Sequence, residues 1–239
     1  MTAHLECAAR LNNNAVDRLM AGDNKVAIEI FTKSLALLMR GPKTAVRQQE
    51  VSRPVNPWLG QLLAPLSPHD PSENICIHYA SSPLNSLTDR QSYIYNHALH
   101  FLSLDDYSIE NFESTTTHIL SAMMIFNLSL AYHRVYTQNG NKACAGRAIK
   151  LYSVVLIVLK NNSSIAGTAA VMKVATINNM SQLRFQEGDY SQARQSLDEL
   201  SQRLHLLKSR RPQELKEDEV RGIMMNVLFL RAPRVAAAA

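Results

Sequence analysis

Ile177 to Leu200 reads INNMSQLRFQEGDYSQARQSLDEL: one helical pattern, a break at Gly188-Asp189-Tyr190, then a second helical pattern at once. Glycine supplies the left-handed residue that stops a helix, and Asp can cap the next one. Within the stretch a small residue, Ser181, is followed twelve positions on by Ala193, then by Leu197 and Leu200. The same intervals recur from Ala15 to Ala27, Phe31 and Ser34, with Gly22-Asp23 at the matching step. In both copies an asparagine stands two before the small residue, Asn13 and Asn179.

A third copy starts at Asn127-Leu128-Ser129 with Tyr132, and its second half offers Ala148, Tyr152 and Val155. Here the small residues are 19 apart instead of 12, so TQNGNKA reads as a seven-residue loop insertion. This register also decides residues 145–160. Val154, Val155, Ile157 and Val158 favour strand locally, but the spacing predicts helix.

The spacing has a physical cause. Antiparallel helices approach closely only where small side chains meet, and a bulky neighbour fills the space alongside. The pattern resembles the tetratricopeptide (TPR) repeat and covers about half the chain. It departs from that family where Arg18 and Arg184 replace large aromatic residues, and where the second and third small residues lie 52 apart instead of 34. The expected fold is all-α: TPR-like antiparallel helix pairs with a small inserted β-hairpin.

The units implied are 3–40, 108–160 and 165–208, with a capping helix at 213–231 opened by Pro212. In that last helix Val220, Ile223, Met224, Val227 and Leu228 form a stripe at helical spacing. Between the first two units, 41–107 breaks character. Seven of the nine prolines lie from Pro42 to Pro83. Trp58, Leu59, Leu62 and Leu63 make this segment too apolar for a simple linker. ICIHYA (about 75–80) and SYIYNHALHF (about 92–101) are rich in β-branched and aromatic residues, and an antiparallel pair is expected. A lone pair is marginal in water, so it should lean on helices.

Composition narrows the functional classes. Apolar residues make up 46% and charged residues 19%, an ordinary globular balance. The windows 119–132 and 151–159 fall short of the ~18 apolar residues a membrane span needs. Cys7, Cys76 and Cys144 are an odd, unpaired set, which suits a reducing compartment. MTAHLECAAR carries Glu6 and no apolar core, so no secretory signal is expected. The cytoplasm is the default location, with the nucleus as the alternative.

The net charge of +5 gathers late, in KSRRP (208–212) among others. That run lacks neighbouring aromatics and reads first as a solvated loop. Cys76-x-His78 and His97-x-x-His100 do not make a zinc spacing, and no metal or cofactor is expected. No G-x-S-x-G, phosphate loop or H-E-x-x-H is present, and Asp105-Asp106 reads as a helix cap. An enzyme is not expected.

The TPR resemblance implies a partner-binding groove lined by first helices. Its positions fall on Asn12, Val16, Leu19, Met123, Phe126, Leu130, His133, Asn178, Gln182 and Phe185. Asn12 and Phe126 stand where a carboxylate-clamping lysine would, and Val16 where an asparagine would, so a terminal-carboxylate clamp is not implied. Met123, Phe126 and Leu130 fit equally well under the hairpin or cap, which leaves open whether the groove is free. The sequence therefore points to a non-catalytic scaffold for a protein or peptide segment. A nucleic-acid- or nucleus-associated adaptor using the basic C-terminal third is the alternative.

Overall fold

The computed structural model describes residues 3–39, 76–79, 93–103, 112–160 and 168–231. They form seven helices: α1 (Ala3–Met20), α2 (Asn24–Met39), α3 (Phe112–Asn139), α4 (Lys142–Lys160), α5 (Thr168–Gln186), α6 (Tyr190–Arg210) and α7 (Glu217–Arg231). Two short strands, β1 (Cys76–Tyr79) and β2 (Leu99–Ser103), lie between α2 and α3 in the chain. Trp58, Leu59, Leu62, Leu63, Asp105, Asp106 and residues 161–164 lie outside the described residues.

Consecutive helices pack as pairs, α1 with α2, α3 with α4 and α5 with α6, and each pair packs on the next through α2–α3 and α4–α5. The odd-numbered helices also touch in succession, α1 to α3 to α5 to α7. They form an inner layer. The residues of the spacing pattern sit where the pairs close: Ala15, Ala27, Phe31, Ser129, Ala148, Tyr152, Val155, Ser181, Ala193, Leu197 and Leu200 are all buried. The hydroxyls of Ser129 and Ser181 return to the carbonyls of Ile125 and Ile177 at 2.6 and 2.7 Å, so the close approach strands no polar group.

The turns α1–α2 and α5–α6 are built alike. Gly22 (φ 90°) and Gly188 (φ 85°) take the left-handed conformation. In each turn the next N–H reaches back five residues, Asp23 to Arg18 and Asp189 to Arg184, both at 2.9 Å. Asp189 then caps α6 by accepting the Gln192 N–H at 3.3 Å.

Three expectations need correction. TQNGNKA is not a loop: α3 runs to Asn139 and α4 begins at Lys142, so the extra residues lengthen both helices. Pro212 does not open the last helix. Residues 211–216 turn, and α7 starts at Glu217 with the Glu219 carboxylate accepting the Lys216 N–H at 2.7 Å. The α7 stripe is also rotated: Val220, Ile223, Val227 and Leu230 are buried, whereas Met224 and Leu228 are exposed.

β1 and β2 pair antiparallel, with Ile77 opposite Phe101, His78 opposite His100 and Tyr79 opposite Leu99. The expected second strand is longer than the paired part. Residues 93–98 carry no strand ladder, and side chains of the inner helices bond the main chain of Tyr93 and Tyr95 there instead.

Candidate functional site

Segment 93–101 lies along the inner layer, held by asparagines. Asn13 on α1 accepts the Phe101 N–H at 2.8 Å and donates to its carbonyl at 2.5 Å. Asn127 on α3 does the same for Leu99, at 2.9 Å each way. Asn179 on α5 does so for Tyr95, at 2.8 Å each way. Asn226 on α7 completes the series on Tyr93, at 2.8 and 2.5 Å.

The chemistry explains the residue type. A carboxamide has one acceptor oxygen and a donor NH2 on one plane, the same pair a neighbouring β-strand offers. In an extended chain, one residue's N–H and C=O point to the same edge, and alternate residues share that edge. Tyr93, Tyr95, Leu99 and Phe101 are all odd-numbered, so their shared edge meets the asparagines. From Leu99 onward the opposite edge is left to β1.

The grip is built twice. Asn12 donates to the Leu99 carbonyl at 3.1 Å and to Asn13 Oδ1 at 3.3 Å, and accepts from Asn127 at 3.0 Å. Asn178 donates to the Tyr93 carbonyl and to Asn179 Oδ1, both at 3.1 Å, and accepts from Asn226 at 2.8 Å. The two clusters engage positions six residues apart on the segment. Six extended residues span about 20 Å at ~3.3 Å each, and two steps between packed helices at 8–10 Å cover about the same length. The helix stack and the extended chain are commensurate.

Side chains add selectivity to this main-chain grip. Tyr95 and Leu99 are buried in the core. His97 points its Nε2 at Glu219 Oε1, 3.1 Å away, with both side chains buried. Glycine at 222 lets the Tyr93 ring lie on α7, because a Cβ there would come within 2.3 Å of Tyr93 Cδ2. Glu219, Gly222 and Asn226 thus present one face of α7 to the segment, at i, i+3 and i+7. Burial, then the nearby Glu219 and Asp218 charges, raises the Tyr93 phenol above its usual value.

Beneath Tyr95 an uncharged polar line continues inward. Asn179 also donates to the Tyr152 hydroxyl at 3.2 Å, and that hydroxyl lies 3.5 Å from His133 Nδ1. Burial lowers the His133 pKa to about 3, with Gln182 acting in the opposite direction. Burial also raises the Tyr152 phenol, against the opposing Asn179 hydrogen bond. Arg134, whose pKa is lowered by burial, donates to the Leu19 carbonyl in the last turn of α1, which also accepts the Gly22 N–H at 3.2 Å.

Of the ten groove positions read from sequence, Asn12 and Asn178 touch the segment directly. Val16, Leu19, Met123, Phe126 and Leu130 are fully buried core residues. His133 and Gln182 belong to the inward polar line, and Phe185 packs edge-on to Tyr190 at 5.2 Å. Asn13, Asn127, Asn179, Asn226 and Glu219 were not among the ten. The signal for three of them was in the repeat, as the asparagine two before each small residue.

Of the two His/Cys pairs, His100 Nε2 lies 3.9 Å from Asp17, and His97 faces Glu219. Among the described residues, no group of three or more His, Cys, Asp or Glu is placed to hold a metal ion. No helix among them is long and apolar enough to cross a membrane. No protein-family model, curated protein or solved structure matches the chain.

Proposed function

We propose that this chain is a TPR-like, non-catalytic interaction scaffold whose inner helices hold an extended polypeptide segment. The observation that carries the reading is the set of four asparagines, one from each inner helix. Each closes on both main-chain groups of a single residue in segment 93–101. Such a surface recognises extended backbone in the manner of an added β-strand. The carboxamides neither titrate nor attack at neutral pH, and they suit holding a chain rather than transforming it.

Affinity capture with the full-length protein from its native cell, followed by mass spectrometry, tests the proposal. The expected result is a protein partner that survives moderate salt. Salt-sensitive recovery of nucleic acid, lost when Lys208, Arg210 and Arg211 are neutralised, would replace it with the adaptor reading. Those three side chains are exposed. They stand at the C-terminal end of α6, where cations complement the helix dipole without any ligand.

A further inference from the structure

We infer that segment 93–101 is an internal occupant of a peptide site. Its counterpart in trans is an extended peptide with apolar residues around a central basic side chain, read by Glu219. This rests on the scaffold reading above and adds the chemistry of the partner.

Main-chain and side-chain contacts divide the work. Asn13, Asn127, Asn179 and Asn226 bond only to backbone groups of the segment, so any residue with an N–H satisfies them at the four gripped positions. Proline is excluded there, because it lacks the N–H each Oδ1 accepts. Composition is therefore selected elsewhere. Tyr95, Ala98 and Leu99 are enclosed by the inner helices and require apolar replacements. The central position differs: His97 meets a carboxylate that is only 8% exposed.

A buried carboxylate is costly without a partner, and a donor or cation opposite relieves that cost. Histidine, lysine or arginine at this place satisfies Glu219. Alanine leaves it unmatched, and an acidic residue repels it. Glu219 is also fixed in place, since its other oxygen caps α7 through the Lys216 N–H. The resident segment is anchored at its Tyr93 end by the Asn226 amide and by ring contact over Gly222. That end is where the occupant can be loosened without altering the asparagines or Glu219.

The test uses the full-length protein and a fluorescent nonapeptide of sequence YIYNHALHF, residues 93–101, read by fluorescence polarisation. Tyr93→Ala removes the resident anchor, leaves Gly222 open to the peptide's own tyrosine, and should make the site available. The labelled peptide is expected to bind this variant at least about tenfold more tightly than the wild type. Among unlabelled competitors, arginine at the fifth position should match histidine, alanine should be weaker, and glutamate should be weaker by about tenfold or more. Adding Glu219→Gln should flatten that ranking.

If Tyr93→Ala does not fold, Gly222→Ala loosens the same end and is probed with a peptide whose first residue is alanine, which the added methyl group does not obstruct. A folded, loosened variant that ignores the peptide overturns the inference, as does a competitor ranking indifferent to the fifth residue. Either result alongside a captured protein partner would leave the scaffold reading standing, with the partner docking elsewhere. Failure of capture, with ranked peptide binding intact, would place the fault in the scaffold reading alone.

Discussion

Asn179 encloses the main chain of Tyr95: Oδ1 accepts its N–H and Nδ2 donates to its carbonyl, both at 2.8 Å. The same carboxamide accepts from Asn178 and donates to the Tyr152 hydroxyl. All its hydrogen-bonding capacity is thus used inside the protein, in a site closed to solvent. An asparagine so placed joins α5, α4 and an extended segment about eighty residues away in sequence.

Removing it should be expensive. Asn179→Ala removes both of these hydrogen bonds from the buried Tyr95 main chain, at roughly 1–3 kcal/mol each. A loss of roughly 2–6 kcal/mol is expected from urea denaturation. The control is Asn14→Ala, in a helix of the same inner layer but exposed. It should change stability by no more than about 0.5 kcal/mol, and toward greater stability, because alanine is the better helix former. Equal losses for the two variants would refute the buried grip.

Gly222 and Tyr93 should be strongly coupled. Replacing glycine by alanine within a helix normally gains about 1 kcal/mol. Here the new methyl group would lie 2.3 to 2.7 Å from three ring atoms of Tyr93, including Cγ, which rotation of the ring cannot move away. Gly222→Ala is therefore expected to destabilise by about 1–3 kcal/mol. In a Tyr93→Ala background it should be neutral or stabilising. A double-mutant cycle measured by thermal or urea unfolding reads the sign reversal.

The helices were legible because their signals are local. Gly22 and Gly188 mark turns through backbone conformation alone, and Ala15, Ser129 and Ser181 mark close contacts through size alone. Residues 93–98 were harder. Their β-branched and aromatic content predicts strand, but the ladder is confined to Leu99–Ser103, and composition does not say what occupies the edge before it. The answer lies in asparagines up to 133 residues away. Helix α7 misled for a related reason. Its inner face includes Glu219, Gly222 and Asn226, which an apolar stripe passes over, so the stripe settled on Met224 and Leu228 instead.

Acid should weaken the fold through His133. Its folded pKa of about 3 lies below the ordinary value of 6.5, so between these limits the unfolded chain binds the extra proton. Stability is therefore full above about pH 6.5 and falls as the pH is lowered toward 3, by up to about 1.4 kcal/mol per unit from this group. Carboxylates add their own dependence at the acidic end. His133→Leu isolates the histidine: urea midpoints of the variant should decline less steeply between about pH 6.5 and 4 than those of the wild type. Parallel declines would show that His133 does not titrate on unfolding.

On α7, Ile223 and Leu228 are both apolar, and both belong to the stripe read from sequence. They should nevertheless respond oppositely to charge. Ile223 is fully buried, and Leu228 is 61% exposed beside Met224, Met225 and Phe229. Ile223→Asp places a carboxylate in the core without a partner, and a loss above about 3 kcal/mol is expected. Leu228→Asp meets water and should stay within about 0.5 kcal/mol of the wild type. Glu217→Ala, at the exposed first turn of the same helix, should cost at most about 1 kcal/mol through the helix dipole. Thermal melts of the three variants give the order directly. A Leu228→Asp loss as large as that of Ile223→Asp would mean that α7 packs with the opposite face inward, and that Asn226 does not reach Tyr93.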